Sequence, residues 1–254
     1  MKIALFQTKL AWENPEINRT FIEEYFLNED ESFDLFVLPE MFTSGFTMNP
    51  SAVAETMEGE TMTWLKELAK KKTCAITGSL VIKENDNFYN RMVFVFPSGE
   101  VQFYNKRHLF TLAGEEKVYT KGTEKVIVNY NNWSICLQIC YDLRFPVFVR
   151  NVENYDLLLY VANWPKPRIN AWDALLKARA IENMCYTIGV NRIGEDANKL
   201  EYPGHSQAFD YLGNQMVDCD DELGVFIFDL DKSTQNEARA KFNFLNDKDD
   251  FEIR

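Results

Sequence analysis

Leu137-Gln-Ile-Cys-Tyr-Asp-Leu-Arg-Phe-Pro146 joins an apolar run to a polar turn. The run from Trp133 to Ile139 has the pattern of a buried strand, and the polar residues before Pro146 predict a turn into a helix. Cys140 therefore lies where a predicted strand ends. Such a corner exposes the side chain beside free backbone N–H groups, which stabilise a thiolate or an oxyanion. Cys140 is a candidate nucleophile, and a buried structural cysteine is the alternative.

The amino-acid composition limits the classes of protein to which the chain can belong. The chain has 254 residues, 46% of them hydrophobic, and a net charge of −12. This length and apolar content allow a large core, and the acidic balance argues against a nucleic acid or an anionic membrane as partner. No stretch approaches the roughly 18 apolar residues of a membrane span, and the first apolar run is too short for a signal peptide.

The cysteines indicate the redox setting. Five cysteines, an odd number without dense spacing, favour a reduced cytoplasmic enzyme over a disulfide scaffold. Cys136 and Cys140 are four residues apart, which is not the spacing of a zinc knuckle. We therefore expect no metal site there.

The rest of the chain alternates between extended and helical patterns. Periodicity and turn residues predict strands over 2–8, 34–38, 74–82, 88–96, 101–104, 126–130, 133–139, 156–162, 185–190, 205–211, 214–217 and 224–229. Helices are predicted over 15–28, 59–72, 145–151, 172–183 and 232–240. This order, with several hairpins, predicts an α/β or α+β sandwich in which helices cover two packed sheets. We expect one domain over residues 1–254.

Three predicted strands are followed closely by groups that can do chemistry: Glu40, Lys106 and Cys140. Ligands gather at the carboxyl ends of strands in open α/β sheets. A carboxylate can take the proton of a thiol, and a buried ammonium can stabilise a tetrahedral oxyanion. These groups suffice for acyl transfer without histidine, although position alone also allows Glu40 to face solvent in a loop.

Longer motifs around these residues carry a family resemblance. The motifs Leu38-Pro-Glu-Met-Phe42, Asn105-Lys-Arg-His-Leu-Phe110 and Ile139-Cys-Tyr-Asp-Leu-Arg-Phe-Pro146 resemble, in order, the three motifs of the carbon–nitrogen hydrolase (nitrilase) superfamily. Ala162-Asn-Trp-Pro-Lys-Pro-Arg168 is similar to its bacterial omega-amidase branch. The resemblance implies a four-layer α-β-β-α sandwich that pairs into an eight-layer homodimer. It also implies that the enzyme needs no metal or organic cofactor.

The resemblance assigns roles to matching positions. It implies that Glu40 is the general base, Lys106 the cation that stabilises the oxyanion, and Cys140 the nucleophile. We expect the backbone N–H of Tyr141 to be a second oxyanion donor. The family also has a second glutamate between the lysine and the cysteine, and its spacing favours Glu115 over the neighbouring Glu116.

The omega-amidase resemblance implies short ω-monoamides of dicarboxylic acids as substrates, such as 2-oxoglutaramate and succinamate. The distal carboxylate of such a substrate requires a cation, and arginine binds carboxylates in a bidentate manner. Candidates are Arg144, Arg168 and Arg192, each of which could instead form a structural salt bridge. Phe42, Phe46 and Trp164 are candidates for the apolar wall, with packing in the core or a loop as the alternative.

Three other functions stay open at this point. Another amidase of the superfamily, acting on N-acyl or N-carbamoyl compounds or on nitriles, would use the same three catalytic groups. A thiol protease would pair Cys140 with His108. A non-enzymatic alternative is a dimeric interaction module that has kept the fold without catalysis.

Overall fold

The computed structural model describes residues 1–253. It contains fourteen strands: β1 (Lys2–Gln7), β2 (Leu35–Val37), β3 (Ala75–Glu84), β4 (Asn87–Val95), β5 (Val101–Asn105), β6 (Ile127–Tyr130), β7 (Trp133–Ile139), β8 (Leu157–Val161), β9 (Tyr186–Val190), β10 (Ile193–Glu195), β11 (Glu201–Pro203), β12 (Gln207–Phe209), β13 (Gln215–Asp218) and β14 (Gly224–Asp229). Its α-helices are α1 (Pro15–Asn28), α2 (Pro50–Val53), α3 (Glu60–Lys72), α4 (Pro146–Val149), α5 (Ile169–Asn183) and α6 (Lys232–Phe242).

Twelve of the strands form two six-stranded mixed sheets, and β10 and β11 pair as a separate antiparallel hairpin. The first has the order β14-β1-β2-β3-β4-β5 and the second the order β13-β12-β9-β8-β7-β6. The central strands β1, β2 and β3 are parallel to one another, as are β7, β8 and β9, whereas the outer strands pair antiparallel. Parallel neighbours carry the residues that follow them to one edge of each sheet.

The core follows from the alternation of side chains along each strand. In β1, Ile3 and Leu5 pack into the cluster that joins the two sheets, while Ala4 and Phe6 pack against helices α1 and α3 on the other face. Helix α5 covers the second sheet through an apolar side that includes Trp172 and Leu176. The resulting order of layers is helix, sheet, sheet, helix, which confirms the fold class predicted from the sequence.

The structure differs from the sequence prediction in two elements near the site. The helix predicted over 145–151 is present but shorter, as α4 over Pro146–Val149, and an unpredicted 3₁₀ turn over Cys140–Arg144 precedes it. Helix α4 stops because the Asn151 amide donates to the carbonyl oxygens of Tyr155 and Asn183, which turns the chain towards β8. The hairpin of β10 and β11 was not predicted. Across residues 1–253, no helix combines the length and the apolar character that crossing a membrane requires.

Candidate active site

Cys140 occupies a strained corner directly after β7. Its φ is +46°, a left-handed conformation that non-glycine residues rarely adopt and that often marks a functional site. The Asp142 carboxylate fixes this corner, because its Oδ2 accepts the Ile139 N–H at 3.0 Å and the Tyr104 hydroxyl at 2.8 Å. The 3₁₀ turn thus presents the Cys140 side chain half-buried on the wall of a cavity.

Glu40 is fully buried, and donors surround its carboxylate. Its Oε1 accepts hydrogen bonds from Lys106 Nζ at 2.9 Å and from Asn90 Nδ2 at 2.8 Å. Its Oε2 accepts the backbone N–H of Asn163 at 2.8 Å. The Asn163 side chain also donates to the Glu40 carbonyl at 2.6 Å. The carboxylate is therefore held in one orientation, and Glu40 does not face solvent.

Lys106 lies between two carboxylates. Besides Glu40, its Nζ donates to Glu115 Oε1 at 3.0 Å and Oε2 at 2.9 Å. Glu115 is itself fixed by the Phe110 N–H, which donates to Oε2 at 2.6 Å. Glu116 is exposed on the same turn. The structure thus places Glu115, and not Glu116, against the lysine.

Burial and charge set the ionisation of this cluster. Burial alone would lower the pKa of Lys106, but the carboxylates of Glu115 and Glu40 outweigh it and raise the pKa above its ordinary value. The pKa of Glu115 is raised by burial, with part of the rise offset by Lys106. Lys106 therefore stays protonated as an ammonium. Its side chain is only 1% exposed to water.

The Cys140 thiol keeps its proton in the resting site. Burial raises its pKa well above the ordinary value, the Glu40 carboxylate adds to the rise, and Lys106 opposes it. The Cys140 sulfur lies 4.0 Å from the Asn163 carbonyl oxygen. The arrangement favours removal of the proton by a base during attack over a preformed thiolate.

Lys106 and Cys140 line a cavity of about 560 Å³, whereas Glu40 and Glu115 are fully buried and are not among its lining residues. Its wall includes the predicted residues Lys106, Cys140, Tyr141, Phe46, Arg144, Trp164 and Arg168. Two carboxylates also line it, those of Glu13 and Asp196. They are engaged with protein donors: Glu13 bonds the Thr47 hydroxyl, and Asp196 bonds two backbone N–H groups and the Tyr202 hydroxyl. The volume suits a small molecule.

Two arginines in this cavity have no carboxylate partner within residues 1–253. The Arg144 guanidinium lies over the Trp164 ring at 5.1 Å, and that of Arg168 lies over the Phe110 ring at 4.9 Å. Aromatic faces hold guanidinium groups in place without neutralising their charge. The cavity therefore offers two oriented cations to an anionic ligand.

Two candidate substrate contacts lie elsewhere. Phe42 is fully buried in the core beside Trp64, at 6.4 Å between ring centroids, and does not line the cavity. This corrects the expectation that Phe42 lines the substrate cavity. After the end of β2, its ring points towards Gly78. Arg192 is also buried away from the cavity wall, where it donates to the carbonyl oxygens of Leu10 and Ile193. Arg192 therefore has a structural role, because it holds these two segments of backbone together.

His108 contacts Asp142 and not Cys140. Its Nδ1 is 2.7 Å from Asp142 Oδ1, and its ring stacks on Phe145 at 3.8 Å between centroids. The histidine therefore supports the corner that carries the cysteine. A Cys–His pair of the thiol protease kind is not formed.

Sequence reasoning missed two amides and one hairpin. Asn90, within β4, donates to Glu40 and, at 3.3 Å, to Glu115, and its Oδ1 accepts the Ser79 hydroxyl. Asn163 fixes Glu40 as described above. A lone asparagine in a strand or loop has no pattern that distinguishes it. The chain between β10 and β11 supplies Asp196, Asn198 and Leu200 to the cavity, and this stretch has no periodic pattern of apolar residues that would have predicted it.

A family model covers most of the chain. The model described as carbon–nitrogen hydrolase matches residues 2–240. The chain belongs to the carbon–nitrogen hydrolase family.

Individual relatives narrow the comparison. The chain is 40% identical over 254 residues to omega-amidase YafV of Escherichia coli strain K12, with 100% of this chain and 98% of that protein covered. It is 30% identical over 250 residues to 2-oxoglutaramate amidase of Bacillus subtilis strain 168, covering 96% of each. The crystal structure of XC1258 from Xanthomonas campestris, a CN-hydrolase superfamily protein with an arsenic adduct in its active site, superposes with a TM-score of 0.98. It is 39% identical, with 100% of this chain and 99% of that chain covered.

Proposed function

We propose that the protein is an omega-amidase that hydrolyses the terminal carboxamide of short dicarboxylic acid monoamides, such as 2-oxoglutaramate and succinamate. The observation that carries the proposal is the Lys106 ammonium, bonded to Glu40 and Glu115 at 2.9–3.0 Å on the wall of the cavity that also contains Cys140. The likeness to omega-amidase YafV and 2-oxoglutaramate amidase over nearly their whole lengths supports the same activity.

Attack begins from a neutral thiol. Glu40 takes the Cys140 proton as the sulfur adds to the carboxamide carbon, so no free thiolate has to form in a buried site. The carbonyl oxygen becomes an oxyanion, which the Lys106 ammonium and the Tyr141 backbone N–H stabilise. Glu115 holds the ammonium in place and balances part of its charge.

Breakdown of the intermediate uses the same proton. Protonated Glu40 gives its proton to the amide nitrogen as the carbon–nitrogen bond breaks, and ammonia leaves. A thioester on Cys140 remains. Glu40 then takes a proton from water, the hydroxide adds to the thioester carbon, and the sulfur leaves as a thiol after recovering the proton. The products are the dicarboxylic acid and ammonia.

The other end of the substrate is an anion. Arg144 and Arg168, which lack carboxylate partners in residues 1–253, bind this distal carboxylate, and Trp164 and Phe46 contact the carbon chain. Arginine suits the task because its planar fork matches a carboxylate. A compound without a distal carboxylate would leave two guanidinium groups unused, which favours a substrate that carries a carboxylate at its far end, as a monoamide does.

An ammonia-release assay over ω-monoamides, nitriles and N-carbamoyl compounds tests the proposal. We expect release from the monoamides and its loss in Cys140→Ala, with an acyl adduct on Cys140 of the wild type by mass spectrometry. Cys219→Ala is the matched control, because Cys219 is buried outside the cavity and should keep full activity. Turnover by Cys140→Ala, or no turnover of any monoamide by the wild type, would refute the assignment.

Assembly and location are also part of the proposal. We expect a homodimer that pairs through the outer helical face, where Val147 of α4 and Ile181 of α5 are 57% and 49% exposed. Ile181→Asp should then yield a monomer in sedimentation analysis. The cysteines are all free in the structure, which supports the reducing cytoplasm, and the net charge of −12 argues against nucleic acid. The shared core of the two sheets supports one functional domain.

A further inference from the structure

Trp164 touches both arginines that face the cavity. Its ring lies beneath the Arg144 guanidinium at 5.1 Å, and its indole N–H donates to the Arg168 carbonyl oxygen at 2.8 Å. One side chain thus fixes the head of the first arginine and the backbone of the second. The two contacts use different parts of the indole, so substitution can separate them.

Trp164 is itself tied to the catalytic groups. The preceding residue, Asn163, donates its backbone N–H to Glu40 and offers its carbonyl oxygen to the Cys140 sulfur. The tryptophan also packs against Trp172 of α5, at 5.5 Å between ring centroids. The distance from the reacting sulfur to the arginines is therefore set through one short stretch of chain.

A buried asparagine also fixes the backbone of this stretch at Trp164. Asn191, which is fully buried after β9, accepts the Trp164 N–H at 2.7 Å and donates to the Trp164 carbonyl at 2.9 Å. Its Nδ2 also donates to the Gly204 carbonyl at 2.7 Å. Both polar groups of the Trp164 backbone are held by one side chain. A site supported in this way keeps its geometry within narrow limits.

We propose that Trp164 is a positioning residue that sets the separation between the Cys140 sulfur and the substrate carboxylate, and so selects ω-monoamides by chain length. The proposal rests on the function proposed above. A monoamide that is too short cannot reach the arginines while its carboxamide lies at the sulfur. One that is too long must bend its chain within the cavity, which costs binding energy.

The test compares kcat/KM for the monoamides of malonic, succinic, glutaric and adipic acids with that for butyramide, which has no carboxylate. The wild type should favour one or two neighbouring lengths by about tenfold or more, as expected for single-methylene discrimination. Trp164→Leu should flatten this profile and raise KM for the preferred monoamide about tenfold, because neither arginine stays fixed. Its kcat/KM for butyramide should fall by much less than that for the preferred monoamide, because butyramide does not use the arginines.

Two further variants keep the test decisive if Trp164→Leu fails to fold. Trp164→Phe retains an aromatic platform for Arg144 but has no N–H for the Arg168 carbonyl, so partial flattening is expected. Arg144→Gln, a change at an exposed side chain, should raise KM for the monoamides by more than it raises KM for butyramide.

The outcomes separate the two proposals. A wild type that turns over none of the monoamides refutes the proposed function, and this inference with it. A wild type that cleaves monoamides without length preference overturns the inference alone. So does a Trp164 variant that keeps the preferred length, or one that loses monoamide and butyramide turnover equally, since the latter indicates a merely structural role.

Discussion

Asn90 contacts both carboxylates that flank Lys106. Its Nδ2 is 2.8 Å from Glu40 Oε1 and 3.3 Å from Glu115 Oε1, and its backbone carbonyl accepts the Lys106 N–H at 2.9 Å. Two carboxylates and one ammonium leave an excess negative charge, and a neutral amide can donate to both carboxylates without adding to it. Asn90 thus orients the cluster without altering its charge.

Replacement of Asn90 should reduce turnover. We expect Asn90→Ala to lower kcat about tenfold or more, since a hydrogen bond to a charged group is worth about 1.5–3 kcal/mol. Asn90→Asp should lose more, because it places a third carboxylate beside the first two. Steady-state kinetics on a monoamide measure the effect, with the exposed Asn129→Ala as control. An Asn90→Ala enzyme with wild-type kcat would show that Lys106 alone orients the carboxylates.

The protonated Cys140 thiol leads to a second prediction about a single residue. Burial raises the pKa of Cys140, so the reactive thiolate increases only as the pH rises beyond the ordinary thiol pKa of about 8.5. The rate of Cys140 alkylation by iodoacetamide, followed by mass spectrometry, should therefore keep rising with pH where that of glutathione levels off. A plateau near neutral pH would instead reveal a preformed thiolate and contradict the mechanism.

At the scale of elements, the strand that delivers Glu40 is packed tightly against its neighbour. A Cβ on Gly78 of β3 would lie 2.7 Å from Leu38 Cβ and 2.9 Å from the Phe42 ring. Both residues belong to the segment that follows β2 and carries Glu40. The glycine therefore lets this segment approach β3 closely, and the position of Glu40 depends on that approach.

Gly78→Ala should accordingly destabilise the fold by about 1–3 kcal/mol through overpacking. It should also reduce kcat, because the segment around Glu40 must shift. Urea denaturation and steady-state kinetics measure the two effects. Gly224→Ala is the control, since its Cβ would meet only the Phe226 ring at an ordinary 3.7 Å. Equal stability of the two variants would contradict the proposed contact.

The individual elements also show which parts of the fold and of the site could be predicted from the sequence and which could not. Periodicity located the strands and made Glu40, Lys106 and Cys140 candidates because each closely follows a strand, while the family resemblance assigned their roles. The direction of Phe42 was not predictable, since the alternation of side chains ends at Pro39. The hairpin of β10 and β11 was not predicted, because each strand has only three residues and β11 ends in Pro203. The amide contacts of Asn90 and Asn163 depend on pairing between distant segments.

For the whole molecule, the two sheets share one core. The apolar cluster between them includes Leu5 of β1 and Leu137 of β7, both fully buried. Removing atoms from this cluster therefore weakens both sheets together. The catalytic groups come from both sheets as well, Glu40 and Lys106 from the first and Cys140 from the second, so their separation depends on the same core.

Leu137→Ala should lower the free energy of unfolding by about 2–5 kcal/mol, the usual cost of a buried leucine truncated to alanine. Urea unfolding should show coincident transitions by tryptophan fluorescence and by far-ultraviolet circular dichroism, as expected for one cooperative domain. Leu112→Ala is the matched control, because Leu112 is 79% exposed and should change stability by less than about 0.5 kcal/mol. Separate transitions for the two probes would contradict a single domain.

The protonated state of Cys140 has a consequence for the life of the protein in the cell. Peroxide oxidises thiolates to sulfenic acid far more readily than it oxidises thiols. A sulfur that stays protonated until a substrate is bound is therefore a poor target for such damage. The enzyme should retain ammonia-releasing capacity during oxidative stress that inactivates hydrolases with low-pKa cysteines.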